Sequence, residues 1–429
     1  MTATAEQQKD RASGADLPGT NRWYALFLFV LAYGMNNLDK AIISVIIAPL
    51  KLEFGLSDSQ ISLLSGLAIT LPYALVCIPM GMLADRWSRK WLLVVLLTCW
   101  SLATVGAGFA ATVAVIVVAR VFVGAFEAGF SPVTMSLIGD FFPERSRSTA
   151  LGLFALGAPL GLFLAMAVGA IVAADHGWRM AFWLAGAPGI VLAIVMAFTI
   201  REPGRAVAPG KVTIAKGPSL LDVLRYIRTN RVLMNVIVGM VLAAALMAAL
   251  AVWLPTFLTR VHGLNSKTAG LISALIVGVC GALGAAIGGF VADKVAGSES
   301  RKLFMVSCTT LATAAFVLLG TLVDNRTGAY VLLGMGAFLA QAIFGTGYGV
   351  VIRQAPPTMR ATTLSLLFVS FNVLSYGGGS LIVGVISDAV APMVGMRSVA
   401  YGIAASGMAS VWAAFHLLRA SHLLRAGRA

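Results

Sequence analysis

Charge is scarce in this sequence. Of its 429 residues only 11% are Asp, Glu, Lys or Arg, against about 25% in an average soluble domain. Polar groups must clothe a surface that faces water, so the shortage excludes secreted, fibrous, disordered and ordinary cytosolic classes. Cysteine is sparse too. Cys77, Cys99, Cys280 and Cys308 all sit inside apolar stretches without CxxC spacing, which excludes a disulfide framework and a thiolate metal site. The four histidines, His176, His262, His416 and His422, fall in loops or near helix ends, and no His, Cys and carboxylate cluster has metal-ligand spacing. No nucleophile has a base nearby in sequence, and no stretch is polar enough for an ATP-binding domain. An enzyme lacks its parts, and no cofactor is expected. The first 21 residues carry no apolar run, so they do not form a cleavable signal. Residues 1–22 read as a disordered cytoplasmic tail.

Apolar residues are abundant instead: 59% of the chain, before its 45 glycines are counted, with a mean hydropathy of +0.91. Crossing hydrocarbon takes about 20 residues, so the length holds about a dozen spans. Apolar runs fall at 23–48, 58–84, 90–111, 113–138, 146–173 and 179–199, and again at 231–258, 267–293, 302–323, 328–352, 361–388 and 397–418. The expected fold is an all-α membrane protein of twelve transmembrane helices in two six-helix halves, 23–200 and 231–418. Between them the segment 201–230 carries Pro203, Pro209 and Pro218, and reads as a cytoplasmic linker with a short amphipathic helix near Leu220–Ile227. Residues 419–429 read as a second tail.

The net charge of +14 could suggest a nucleic-acid partner, but its placement excludes one. With both termini cytoplasmic, 23 of the 31 Lys and Arg residues lie on the cytoplasmic side, six lie outside, and Lys40 and Arg120 fall within spans. Basic residues accumulate in cytoplasmic loops, so the split predicts an inner-membrane protein with both ends inside. The two halves also repeat each other. Gly81-Met-Leu-Ala-Asp85-Arg86 recurs 208 residues later as Gly289-Phe-Val-Ala-Asp293-Lys294. Pro143-Glu-Arg-Ser-Arg147-Ser-Thr149 recurs 213 residues later as Pro356-Pro-Thr-Met-Arg360-Ala-Thr362. Parallel repeats of this kind place a substrate site near the bilayer midplane between the halves.

The string Gly81-Met-Leu-Ala-Asp85-Arg86-Trp-Ser-Arg89-Lys90 resembles the loop 2–3 signature of the major facilitator superfamily. Asn37-Leu-Asp39-Lys40, Arg120-Val-Phe-Val-Gly124-Ala-Phe-Glu127-Ala128, Ser131-Pro132, Ile138-Gly139-Asp140-Phe-Phe-Pro143 and Gly177-Trp178-Arg179-Met-Ala-Phe182 resemble its spinster-like branch, the last string being shared with the anion:cation symporters. The resemblance implies a secondary transporter working by alternating access. Asp39-Lys40 departs from that branch, which usually has Asp-Arg; a lysine is a point charge without the planar fork of arginine. Gly81, Asp85, Arg86, Arg89, Lys90, Arg147, Asp293 and Arg360 would form the cytoplasmic latch. Gly157-Ala-Pro159-Leu-Gly161 only partly resembles the antiporter signature.

Independently of the family, ionisable residues inside spans are expensive and mark function. Four stand out: Asp39, Lys40, Arg120 and Glu127. Counting along the helices puts Asp39 roughly 13 Å and Arg120 roughly 11 Å from the outer surface, and Glu127 about 10 Å deeper on the face of Arg120. Asp39 and Arg120 can therefore meet. One reading is a salt bridge that staples two helices; the other is a coupled site where Asp39 or Glu127 carries a proton and Arg120, helped by Lys40, holds an anion. Tyr33, Asn36, Asn37, Trp253, Gln341, Asn372 and Tyr376 are expected cavity liners. Gly278, Gly281, Gly284, Gly288 and Gly377-Gly378-Gly379 suit close helix packing. Gly345-Thr-Gly347-Tyr-Gly349 lacks the preceding strand of a dinucleotide site. The expectation is a monomeric proton-driven carrier of a small organic anion or amphipathic carboxylate, with the bilayer and protons as its other partners. Its rivals are a lipid or drug exporter of the same fold and a receptor that binds without transporting.

Overall fold

The computed structural model describes residues 21–202, 219–295, 298–356 and 358–427. The expected tail up to residue 20, the proline-rich part of the linker, and the surroundings of Gly81, Asp85, Arg86 and Asp293 lie outside the described residues. Among the described residues the chain forms thirteen helices: α1 (Arg22–Phe54), α2 (58–86), α3 (Arg89–Ala107), α4 (113–141), α5 (144–176), α6 (Trp178–Thr199), α7 (Leu220–Thr229), α8 (Arg231–Arg260), α9 (266–295), α10 (Glu299–Leu322), α11 (Arg326–Gln354), α12 (360–394) and α13 (Ser398–Arg425). All except α7 are spans. The continuous apolar stretch Thr362–Arg425 contains two of them, folded back at Gly395, whose φ of +58° turns the chain. With α1–α6 on one side of α7 and α8–α13 on the other, the twelve-helix architecture is the one expected. Helix α13 continues through Arg419 and His422 to Arg425, because a helix end needs no apolar residues once it leaves hydrocarbon.

Local chemistry sets the helix ends. Asn21 caps α1 by accepting the Trp23 amide, and Gly55 closes it at φ +63° with its N–H on the Lys51 carbonyl, a left-handed position glycine adopts without penalty. Ser57 and Gln60 form a capping box that opens α2. Three spans contain a widened π-turn: Leu63–Leu67 in α2, Ala274–Cys280 in α9 and Phe371–Gly377 in α12. The first two lie in equivalent helices of the repeat, and such turns are frequent at functional sites.

The apolar core is divided unequally between the two ends of the bundle. Near the linker, one cluster belongs to the N-terminal half alone (Phe29, Leu96, Trp100, Phe130, Leu137, Met196). A second belongs to the C-terminal half and α7 alone (Val223, Leu233, Met240, Leu303, Val350, Leu417). At the far end, the one opposite the linker, a single cluster draws on both halves, with Ile42, Ile46, Met166 and Phe182 packed with Leu250, Trp253, Phe257, Ala269 and Val277. The bundle is joined at the far end and divided at the linker end.

Close approach within the N-terminal half depends on Gly124 of α4. A Cβ there would stand 2.1 Å from the Ile69 carbonyl oxygen of α2, far inside contact distance. Gly124→Ala should therefore force α2 and α4 apart and lower stability by about 1–3 kcal/mol, read as a drop in the thermal unfolding midpoint in detergent. Gly152 of α5, where a Cβ meets nothing within 4 Å, provides the control: Gly152→Ala should be neutral or stabilising by up to about 1 kcal/mol. Equal effects at both positions would remove the packing explanation.

Candidate functional site

The charged residues of α1 and α4 meet as two crossed pairs. Arg120 Nη1 lies 3.6 Å from Asp39 Oδ1, and Lys40 Nζ lies 3.3 Å from Glu127 Oε2. Asp39, Arg120 and Glu127 are each 1% exposed; the Lys40 side chain is 18% exposed. The pairs differ in how firmly they are held. Asp39 Oδ2 accepts the Thr104 hydroxyl of α3. The Arg120 guanidinium donates to the backbone carbonyls of Asp39 (2.9 Å) and Lys40 (3.4 Å), so it is fastened to the backbone of α1, and the Asp39 carboxylate accepts no hydrogen bond from it. Lys40 donates to Asn36 Oδ1 at 3.1 Å and lies 5.4 Å from the Tyr73 ring centroid of α2. Neither Glu127 oxygen accepts an aligned hydrogen bond among the described residues. From the other half, the Tyr376 hydroxyl at the π-turn of α12 donates to the Lys40 carbonyl at 3.2 Å. That carbonyl is shared by Arg120 and Tyr376, one donor from each half.

The structure thus brings together Asp39, Lys40, Arg120, Glu127, Asn36 and Tyr376, and adds Thr104 and Tyr73, which carry no charge to mark them in the sequence. Asn37 donates to the Tyr33 carbonyl at 2.9 Å, and Tyr33 stacks on Phe130 and Phe154 beside the cluster. Asn372 turns its amide to the Phe368 carbonyl, and Gln341 packs opposite Gly281 between α11 and α9. Both stand in the C-terminal half without a polar contact to the charges among the described residues. Two expectations are corrected. Trp253 is wholly buried in the far-end core, with its indole N–H on the Ser380 carbonyl at 3.2 Å, so it lines no cavity. Arg120, expected as the principal anion anchor, is sealed against α1 at 1% exposure, and Lys40, expected to assist it, is the more accessible cation.

With the linker end divided, the described latch residues each contact parts of their own half. Arg89 pairs with Asp140 of α4 and reaches Glu202 beyond α6 at 3.8 Å, while Glu202 accepts the Arg89 amide at 2.8 Å. Arg147 donates to the Gly139 carbonyl and Arg360 to the Ala355 carbonyl. Lys90 lies 4.8 Å from the centroid of the adjacent Trp91 ring.

A larger polar tie between halves is at the far end, centred on Asp58, the first residue of α2 and 3% exposed. Its carboxylate receives Arg260 of α8 bidentately at 2.7 and 2.8 Å, the Ser387 hydroxyl of α12 at 2.7 Å, and Lys51 of α1. Asp388 of α12 in turn accepts the amides of Asp58 (2.9 Å) and Ser59 (2.8 Å) and the Ser59 hydroxyl, capping α2 from the opposite half. A carboxylate at a helix N-terminus is favoured by both hydrogen bonding and the helix dipole. A deeper tie joins Ser62 to the Ser380 carbonyl at 2.8 Å. The repeat held a signal for this gate: Asp388 stands 213 residues after Asp175, and Asp175 also reaches across the halves, as an ion pair with Lys267 at the start of α9 at 2.5 Å.

Two repeated six-helix bundles, fused at one end, parted at the other and carrying buried charge near the middle, define a membrane carrier that alternates between two openings. Residues 29–378 match the family model of the Major Facilitator Superfamily, and the chain belongs to that family. It is a multi-pass membrane transporter and not an enzyme, and the likeness to the spinster branch holds. The chain is 27% identical over 388 residues to an MFS-type efflux pump of Mycolicibacterium smegmatis, covering 90% of this chain and 89% of that one. It is 26% identical over 377 residues to protein spinster homolog 3 of Danio rerio, covering 83% and 75%. It is 27% identical over 379 residues to a probable L-galactonate transporter of Escherichia coli, covering 85% and 83%. The crystal structure of a bacterial homolog to the human lysosomal transporter Spinster, inward-facing and unoccupied, matches with a TM-score of 0.83 at 25% identity, covering 95% of this chain and 98% of that one.

Removing one partner of a buried ion pair costs about 3–5 kcal/mol, so Arg260→Gln should release the far end. On a background without native cysteines, a Ser62→Cys reporter, buried in the joined state, should then react with a membrane-impermeant maleimide roughly tenfold faster or more. Unchanged labelling would show that Arg260 does not hold the ends together.

Proposed function

We propose that this protein is a proton-coupled carrier of a small organic anion or amphipathic carboxylate, set in an inner membrane with both termini in the cytoplasm. The basic residues concentrated at the linker end support that orientation. It makes the divided end cytoplasmic and the conformation described above inward-facing.

One observation carries the reading: the crossed pairs of Asp39 with Arg120 and of Lys40 with Glu127. Two cations and two carboxylates leave the cluster neutral. A proton arriving on one carboxylate makes it net positive by one, and an uncompensated cation in low dielectric recruits an anion. The inequality of the pairs supports Glu127 as the proton carrier. Asp39 has the Thr104 hydroxyl on Oδ2 and Arg120 3.6 Å from Oδ1, whereas Glu127 has Lys40 at 3.3 Å and no aligned hydrogen bond on either oxygen. Protonation of Glu127 therefore frees Lys40, the more accessible cation, and Arg120 keeps α1 and α4 in register. Because the proton creates the anion site, the two ride together in the same direction. The similarity to a probable L-galactonate transporter supports an acidic solute.

A second reading, export of a lipid-like or drug-like molecule, is favoured by an apolar groove of about 560 Å³ between α2 and α4, lined by Leu63, Leu67, Leu71, Leu75, Val117 and Val121. The likeness to an efflux pump supports it too.

Proteoliposome assays separate these readings. Glu127→Gln should abolish accumulation driven by a pH gradient while preserving counterflow, and Asp39→Asn should lose both through disorder of the α1–α4 contact. Lys40→Met should weaken a carboxylate ligand by tenfold or more, and leave its neutral ester unaffected. Equal affinity of wild type and Lys40→Met for the acid would put the exporter first. Binding without any counterflow would identify a receptor.

A further inference from the structure

The linker helix α7 presents a face that no packing within the described residues accounts for. Val223 and Ile227 are buried against α8 and the C-terminal core. The Tyr226 hydroxyl donates to the Gln354 carbonyl at the end of α11 at 2.9 Å, and Asn230 bonds Tyr226 and caps α8. These contacts fasten α7 to the C-terminal half where α8 enters the membrane, one residue after α7 ends. On the outward side Leu221 is 74% exposed, and Leu220 and Leu224 are exposed with it. Arg225 and Arg228 are exposed on the same side, and neither forms a salt bridge among the described residues. At 3.6 residues per turn Leu220, Leu224, Arg228, Leu221 and Arg225 follow one another within an arc of about 140°. Thr229 and Asp222 follow beyond Arg225, and Asp222 is occupied in the capping box with Ser219, whose hydroxyl and amide hold its carboxyl below the usual range.

Three exposed leucines next to the buried Val223 and Ile227, with Arg228 among them and Arg225 at their edge, leave apolar surface and cations without a salt bridge on one exposed side, a combination suited to a helix lying in a membrane surface. We propose that α7 is an interfacial lipid-binding element: Leu220, Leu221 and Leu224 enter the acyl boundary, and Arg225 and Arg228 hold the phosphates of anionic phospholipids. Guanidinium groups suit phosphate because their paired N–H donors match two oxygens at once. The lipid bound here belongs to the bilayer leaflet at the linker end. Its grip falls on the C-terminal half, to which α7 is fastened, and leaves the N-terminal half free to move against it.

The test places a reporter at the most exposed leucine. Leu221→Trp in the full-length protein, reconstituted in vesicles, adds a fluorophore read as the difference from wild type with its eight native tryptophans. Brominated phosphatidylglycerol and brominated phosphatidylcholine should both quench it, the anionic lipid at a lower mole fraction by about fivefold for each arginine. Adding Arg225→Gln and Arg228→Gln should bring the two quenching curves together without abolishing quenching. No excess quenching by either lipid would put the face outside the bilayer and overturn the proposal. Equal quenching by both lipids with the arginines intact, or an anionic preference that survives their loss, would overturn the assignment of Arg225 and Arg228.

Discussion

A carboxylate carried into hydrocarbon must be neutralised by a cation or a proton, and this protein provides cations at two places. Asp39 and Glu127 face Arg120 and Lys40 one for one in the middle of the N-terminal half. Asp58 at the far end is met by Lys51 and Arg260. The cost of an unmatched buried charge, several kcal/mol on the order of a whole domain's net stability, makes these pairings the fixed points around which the helices are arranged. Gly124 sits between Arg120 and Glu127 and lets α4 approach α2 closely enough for Tyr73 to flank Lys40. Loss of one charge at either place would leave a partner buried and unmatched, and so would weigh against this arrangement of the helices. A transporter needs that property.

The division of the apolar core supports the same motion. A single cluster joins the halves at the far end, whereas at the linker end each half closes on itself. Each half can therefore move as a body, because its own core stays intact while the shared one is exchanged. The arginines at the linker end belong to this scheme: Arg89, Arg147 and Arg360 brace loops within their own halves. They keep each body stiff while the far end holds the two together. Tyr376 touches the Lys40 carbonyl from across the divide, so the charge cluster is in contact with both bodies.

The fold was legible in the sequence because lipid simplifies the code. Run length counts the spans, and two repeated loop motifs 208 and 213 residues apart identify the halves. The Asp39–Arg120 meeting followed from depth alone, since rise per residue is constant along a helix. The pairing of Lys40 with Glu127 did not, because depth says nothing of rotation or of how far a lysine side chain reaches. Trp253 read as a cavity liner because indole is polar at one atom, yet it buries that atom on Ser380. The Asp58 gate escaped because its members sit at helix ends, where a charged residue is unremarkable until the partner helices are placed. Only the matching positions of Asp175 and Asp388 hinted at it.

Asp58 is shared unequally between the two bodies. Lys51 reaches it from the same half, whereas Arg260 and Ser387 reach it from the other. When the far end parts, the carboxylate loses its visitors and keeps its resident, so the N-terminal half leaves with its acid still neutralised. Arg260 comes away beside an opening that admits water, where a guanidinium is readily hydrated. The electrostatic work of separation therefore falls on the side best able to be solvated. Lys51 acts as an understudy: its contribution is largest in the state in which the gate it belongs to is broken.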